Sequence, residues 1–253
     1  MSERLPWIRL PVEHWVHWEP LRGGANAREL VAAHYPKATC FEVVAHPDAR
    51  MPAPRSLWQR LHLAHAARRP EVGPTPPEGG AQLVWANMLL HQTPDPVALI
   101  AAWQRALSVN GFLMFSCLGP DTLKELRTLY ATHHWPSPVQ DFTDMHDWGD
   151  LVITTGFADP VVSMEHIRLT FDSAPRLLEE LRGLGCNTHP ARFAGLRTPA
   201  WRKALEAAIE RELRPSPGAP LALTFEVIYG HAVKPKPRPT RVGPSPRIEF
   251  NSD

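Results

Sequence analysis

Short apolar runs punctuate the first half of this chain at near-regular intervals. His14-Trp15-Val16-His17-Trp18, Thr39-Cys40-Phe41-Glu42-Val43-Val44, Leu83-Val84-Trp85-Ala86 and Phe112-Leu113-Met114-Phe115 are each too short for a helix and suit strands buried on both faces. Between the last two, Thr93-Pro94-Asp95-Pro96 breaks the chain, and Val97, Ile100, Ala101 and Leu107 then recur at helical spacing. Asn110-Gly111 is expected to end that helix, because both residues tolerate a left-handed cap. Gly119-Pro120-Asp121 turns into a further helix. Strand, helix, strand, helix on short links is a βαβα unit, which predicts a parallel sheet covered by helices.

The flanking pattern extends the unit. Trp7, Ile8 and Leu10 read as a lead-in against the sheet edge. A helix is expected over 26–34, with Asn26 as N-cap, Glu29 at capping-box spacing, and Ala27, Leu30, Val31 and Tyr35 on one face. Another is expected within 50–67, where Leu57, Leu61, His62 and His65 share a face. The stretch RRPEVGPTPPEGG at 68–80 predicts a loop or a very short strand, since prolines and glycines break regular structure. A Pro-interrupted loop follows at 133–142, then a helix over 144–155 and a strand over 161–171. A helix over 173–184 has Ser173 as N-cap, Leu177, Leu178, Leu181 and Leu184 inside and Gly185 as its stop. One more helix spans 199–213, with Trp201, Leu205, Ala208 and Ile209 inward. Residues 221–233 alternate as a last strand near the sheet edge. From 234 to 253, prolines alternate with bases, which predicts a disordered, polyproline-like tail.

Composition narrows the classes. The chain has 253 residues, 43% of them hydrophobic, enough for one α/β domain with a sizeable core over 1–233. A net charge of +1 points to neither nucleic acid nor an anionic membrane surface. Cys40, Cys117 and Cys186 lie far apart, and two of them sit in apolar runs, so buried free thiols fit better than a disulfide framework or a zinc site. No histidine or cysteine spacing marks a metal site. No signal-like core opens the chain and no apolar run reaches membrane-spanning length, so a cytoplasmic protein is expected.

The wording of the central unit is more specific than its pattern. Ala86-Asn87, His91-Gln92 and then ALSVNGFLMFSCLGPDTLKELR resemble class I S-adenosylmethionine (SAM) methyltransferases, and among them the malonyl-acyl-carrier-protein O-methyltransferase family of biotin synthesis. Three more strings occur in that family's order: DMHDWGDLVITTGFADPVVSMEHIRLTF, the insert segment LLEELRGLGCNTHPARFAGLRTPAWRKALEAA, and LTFEVIYGHAVKP. The resemblance runs from about Leu83 to Pro235. It implies a doubly wound, mostly parallel sheet of Rossmann-like type, an antiparallel last strand and a helical insert at about 172–215. A related mitochondrial assembly factor shares the insert and hydroxylates an arginine, so the insert marks a subfamily more firmly than a reaction.

What the resemblance implies at the cofactor is partly missing here. The family's D-x-G-x-G-x-G loop falls on 17–23, where only Gly23, followed by Gly24, survives; His17, Glu19 and Leu21 replace the acid and two glycines. The ribose-binding acid falls on Val44, with Glu42 two residues earlier on the same strand face. Losing that bond costs about 1.5–3 kcal/mol, and a Glu19 carboxylate beside the SAM carboxylate adds up to roughly 4 kcal/mol at an intermediate dielectric. Candidate cofactor residues are Gly23, Gly24, Glu42 and Asn87.

Methylating a carboxylate needs positioning more than acid–base help, with a cation to hold the acceptor. Candidate substrate residues are His91, His146, Arg168 and Arg182; no catalytic side chain is assigned. Two functions are expected: a SAM-dependent O-methyltransferase acting on an acyl-carrier-protein thioester or another small carboxylate, or a catalytically weak relative acting as a binding or assembly partner.

Overall fold

The computed structural model describes residues 1–21, 23–24, 26–44 and 70–237. The helix expected within 50–67 and the tail beyond 237 lie outside them. A seven-stranded sheet carries the fold: β1 (His14–Trp18), β2 (Thr39–Val43), β3 (Glu71–Gly73), β4 (Ala81–Ala86), β5 (Leu107–Leu118), β6 (Ala158–Phe171) and β7 (Leu221–Val233). Their spatial order is β3-β2-β1-β4-β5-β7-β6. β3 through β5 pair parallel, while β7 runs antiparallel to both β5 and β6. The mostly parallel, doubly wound sheet expected from the pattern is therefore present. One placement differs: β7 is interior, and the exposed edge is β6. Residues 221–228 of β7 are all buried, because Leu221, Leu223 and Phe225 pack under helices on one face and Ile228 packs with Trp103 and Trp148 on the other.

Helices α1 (Ala27–His34), α2 (Pro96–Ala106), α3 (Lys124–Thr132), α4 (Met145–Thr154), α5 (Ala174–Gly183) and α6 (Pro199–Glu212) cover the sheet. Several start where the polar signals lie. The Asp95 carboxylate accepts from Ala98 N–H at 2.9 Å, with Pro96 in the first turn of α2. Asp144 caps α4, Ser173 caps α5 and Thr198 caps α6 in the same way. Asn26 precedes α1 but is itself in the helical region and makes no side-chain cap, so the capping box does not form.

Three other expectations change, and at 68–80 the very short strand is realised. α2 ends at Ala106, before Asn110-Gly111, because Leu107 already pairs with Ala81 in the sheet. Asn110 takes its left-handed conformation (φ 65°) inside β5 instead. In the lead-in, a 3₁₀ turn over Ser2–Trp7 buries Leu5 against a sheet face, while Trp7 is exposed. Within 68–80, three residues do form a strand, added parallel to β2. Lys234, assigned to the tail, is docked: its ammonium donates to the Gln104 and Leu107 carbonyls, both at 2.7 Å.

Ile100, Trp103, Phe115, Trp148 and Ile228 fill one sheet face, and Trp15, Leu83, Phe112 and Met114 the other. A third cluster joins α3, α5 and α6 to Leu221, Leu223 and Phe225 of β7. Leu177 is central to it, but Leu184 is not inside; it lies past the last turn of α5 and is half exposed. Among the described residues, no helix is long and apolar enough to cross a membrane.

Candidate functional site

The chain turns from β1 outward to β2 and β3, then returns to β4 on the other side of β1. The crevice beyond the carboxyl ends of β1 and β4 is thus the topological switch point, where α/β sheets bind ligands. Two sites stand there, side by side.

The first is the loop after β1. Glu19 N–H donates to the Val43 carbonyl (2.9 Å), and Gly23 N–H to the Glu19 carbonyl (3.2 Å). Glu19 has φ 49°, the left-handed region a glycine enters without strain. Its backbone therefore keeps the turn although its side chain is not Gly. Asn87, at the end of β4, donates from Nδ2 to the Gly23 carbonyl (2.5 Å) and accepts from the Ser116 hydroxyl. A Cβ on Gly23 would lie 3.2 Å from the Asn87 Cβ and 3.6 Å from His17 Nε2. This is a tight approach, and a larger residue at 23 would have to push Asn87 aside. Gly23, Gly24, Asn26, Ala27 and Asn87 line an open cavity of about 480 Å³.

His17 lies beneath the loop, stacked on Trp15 and almost fully buried. Neither ring nitrogen has a hydrogen-bond partner. Burial, aided by the Arg28 charge, pushes its pKa down to about 4, so the imidazole is neutral at pH 7. Glu42 does not reach the mouth. The register pairs His17 with Glu42 and Trp18 with Val43, with no shift, and the buried Glu42 carboxylate faces Arg28 at 3.8 Å. Burial raises its pKa while Arg28 lowers it. Val44, the last residue hydrogen-bonded alongside β3, offers no acid. For a SAM cofactor, then, the backbone at Glu19, Gly23 and Gly24 offers the turn for the methionine end, and among the described residues neither Val44 nor Glu42, which is paired to Arg28, offers its ribose a free carboxylate.

The second site is a cavity of about 560 Å³ roofed by the insert. His91, in the 3₁₀ turn Leu90–Gln92 that follows β4, lines it with Leu118, Leu123, Phe142 and Leu181. Leu118 N–H donates to His91 Nδ1 (3.3 Å), and His91 Nε2 lies 3.1 Å from the Gln92 side-chain amide nitrogen. Asn187 and Thr188, past α5, also line the wall. Asn187 donates to the Ser137 carbonyl (2.8 Å), and the Thr188 hydroxyl donates to Gln140, tying the insert to the 133–142 loop.

The cradle and the cavity share their strands. Asn87 and His91 both follow β4; Ser116 and Leu118 both belong to β5. Of the sequence candidates, Gly23, Gly24, Asn87 and His91 converge here. His146 is exposed on the first turn of α4, Arg168 lies on the edge strand β6 opposite Thr224, and Arg182 is exposed in the last turn of α5. None of these three lines the cavity. Arg127, passed over in the sequence, backs its wall: it donates to the Gln140 carbonyl (2.9 Å) and lies 5.5 Å over the Phe142 ring. Only its place in the string KELR marked it. Asp121, His166 and Glu226 also converge near the end of β5, with His166 3.1 Å from Asp121. Lys124 and a backbone N–H already satisfy the two acids there.

No family model matches the chain. Curated relatives do. A malonyl-[acyl-carrier protein] O-methyltransferase of Gallionella capsiferriformans is 41% identical, with 96% of this chain and 84% of that protein covered. Its counterpart in Laribacter hongkongensis is 37% identical over 84% of this chain and 73% of that protein, and that of Methylovorus is 39% identical over 94% and 81%. Among solved structures, a candidate methyltransferase of Bacillus halodurans superposes with a TM-score of 0.57 at 13% identity, covering 92% of this chain and 98% of that one. The YcgJ protein of Bacillus subtilis gives 0.55 at 12% identity, covering 89% and 93%. These last two show the fold.

Proposed function

The chain belongs to the malonyl-[acyl-carrier protein] O-methyltransferase family, and from that premise we propose that it transfers a methyl group from SAM to the free carboxylate of a carrier-bound acyl thioester. The observation carrying this reading is that the Gly23–Asn87 cradle and the insert-roofed cavity lie at the ends of the same two strands, β4 and β5. A donor in one is adjacent to an acceptor in the other.

The donor supplies a methyl on a sulfonium, a good leaving group, and an ionised carboxylate needs no base. The chain's own task is to orient the acceptor and exclude water. Apolar Leu118, Leu123, Phe142 and Leu181 suit an acyl arm. His91 and Gln92 put polar groups on the wall beside its polar end, and Arg127 adds positive charge behind Gln140 and Phe142.

A second reading, a catalytically silent binding or assembly partner, is favoured by one set of residues: His17 in place of the acid, Glu19 and Leu21 in place of glycines, and Val44 without a carboxylate. Calorimetric titration with SAM, paired with mass analysis of a malonyl-carrier substrate after incubation, separates the two. The methyltransferase reading expects the methyl ester, with SAM binding weaker than micromolar, less favourable than about −8 kcal/mol. Neither heat nor ester at saturating SAM would establish the silent reading.

A further inference from the structure

Between Leu181 and Leu205 the chain carries Arg182, Arg192, Arg197, Arg202 and Lys203 but no Asp or Glu. In a protein with a net charge of +1 that is a concentrated asymmetry. Arg202 is paired with Glu206 (2.7 Å). Among the described residues, Arg182, Arg192, Arg197 and Lys203 have no carboxylate partner.

The same stretch exposes apolar side chains. Leu196 is 97% exposed, Leu184 56% and Phe193 45%. It is also anchored. The Arg197 guanidinium lies between the Phe193 ring (3.8 Å) and the Trp201 ring (4.0 Å), and Trp201 packs edge-on against Tyr130 and Trp135. An exposed leucine flanked by unpaired cations on an anchored loop has the makings of an interface: an apolar anchor within a charged rim. The first residues of this stretch, Leu184 to Thr188, also form part of the cavity wall.

We infer that residues 182–203 are the docking surface for an acidic carrier protein, whose flexible thioester arm enters the cavity past Leu184–Thr188. This rests on the proposed function for the identity of the acyl carrier. The charge argument favours an acidic partner, since opposed potentials steer encounter and fix orientation. A nucleic acid would use the cations but not Leu196, and would have no reason to meet at the cavity wall.

The test is calorimetric titration of the full chain with an unacylated acyl carrier protein bearing its phosphopantetheine arm. It needs no methyl donor, so it stands or falls apart from methyl transfer. The double variant Arg192→Glu/Leu196→Glu changes two exposed side chains, and its melting temperature confirms folding. Arg197→Lys is the second variant, keeping charge while losing the planar stack. The proposal expects carrier binding that weakens at least about tenfold in the double variant, and also weakens as salt rises from about 0.05 to 0.5 M. Carrier binding without methyl transfer would leave docking intact and remove the proposed function. Undiminished binding by the double variant overturns the proposal, as does absence of carrier binding by the unmodified chain at millimolar concentration. A short RNA duplex that binds with the same salt dependence while the carrier does not bind overturns it too.

Discussion

The two ends of the crevice differ in how well side chains suit the backbone. In the paired strands β5 and β7 behind the insert-roofed cavity, side chains and backbone agree. Gly119 leaves room for the Glu226 carboxyl, and Gly230 for the Phe115 ring. Around the loop after β1 they have parted. Glu19 keeps a left-handed φ that only glycine adopts freely, because its N–H is held by the Val43 carbonyl and its carbonyl by Gly23 N–H. The sheet dictates that path, so the path survives a side chain that does not suit it. A shared fold therefore says less about ligand chemistry on the loop side than on the cavity side.

The sharpest way to break this contrast is to disturb the side said to be well fitted. A Cβ on Gly230 would sit 2.1 Å from the Phe115 ring, which is fully buried and stacked with Trp103. Gly230→Ala is expected to lose about 3 kcal/mol or more, at the upper end of overpacking effects, read from urea denaturation midpoints. A loss below about 1 kcal/mol would mean that β5 and β7 yield easily, and the contrast would go with it.

Next in size is the pH dependence of stability from the loop side. His17 is buried neutral, with its pKa down at about 4 from an unfolded 6.5. The unfolded chain then binds more protons between those values, so stability is complete above about pH 6.5 and falls as pH drops towards 4. The full difference is roughly 3 kcal/mol. His231, also lowered by burial, acts in the same direction. Glu42, raised by burial, acts oppositely at the acid end, since its proton is held more tightly when folded. His17→Leu is expected to flatten the slope between pH 6.5 and 5, measured by denaturation at each pH. An unchanged slope would show that His17 is not the titrating group.

Why the sequence revealed one side better than the other follows from the same residues. β1, β2 and β4 were legible because both their faces are covered and an uninterrupted apolar run is required. The caps at Asp95, Asp144 and Ser173 were legible because their chemistry is local. β7 was misplaced because a strand covered on both flanks can still alternate. α2 was drawn too long because Leu107 suits a helix face, and only its pairing with Ala81 ends the helix. At the site, Asn87 and His91 were found because they directly follow a strand. Arg127, Asn187 and Thr188 were not, because their partners lie 13, 50 and 48 residues away in the chain. No local pattern reports such pairings.

The smallest expected effect bears most directly on the loop. A non-glycine residue in the left-handed region loses about 1–2 kcal/mol relative to glycine, offset by the greater chain entropy that glycine surrenders, about 0.5–1 kcal/mol. On the backbone alone, Glu19→Gly is therefore expected to stabilise the protein, by about 1 kcal/mol or less. For most surface residues a change to glycine lowers stability, so the sign alone is informative in a thermal melt. The same change removes a carboxylate from the cradle. Combined with Leu21→Gly, it is expected to tighten SAM by roughly tenfold, about 1.4 kcal/mol, since the backbone already follows the glycine path. Gain of stability without gain of affinity would place the deficit elsewhere, at the end of β2 with Val44 and the Arg28-paired Glu42. Loss of stability would show that the Glu19 side-chain contacts are worth more than its strain, and that the path of this loop depends on them.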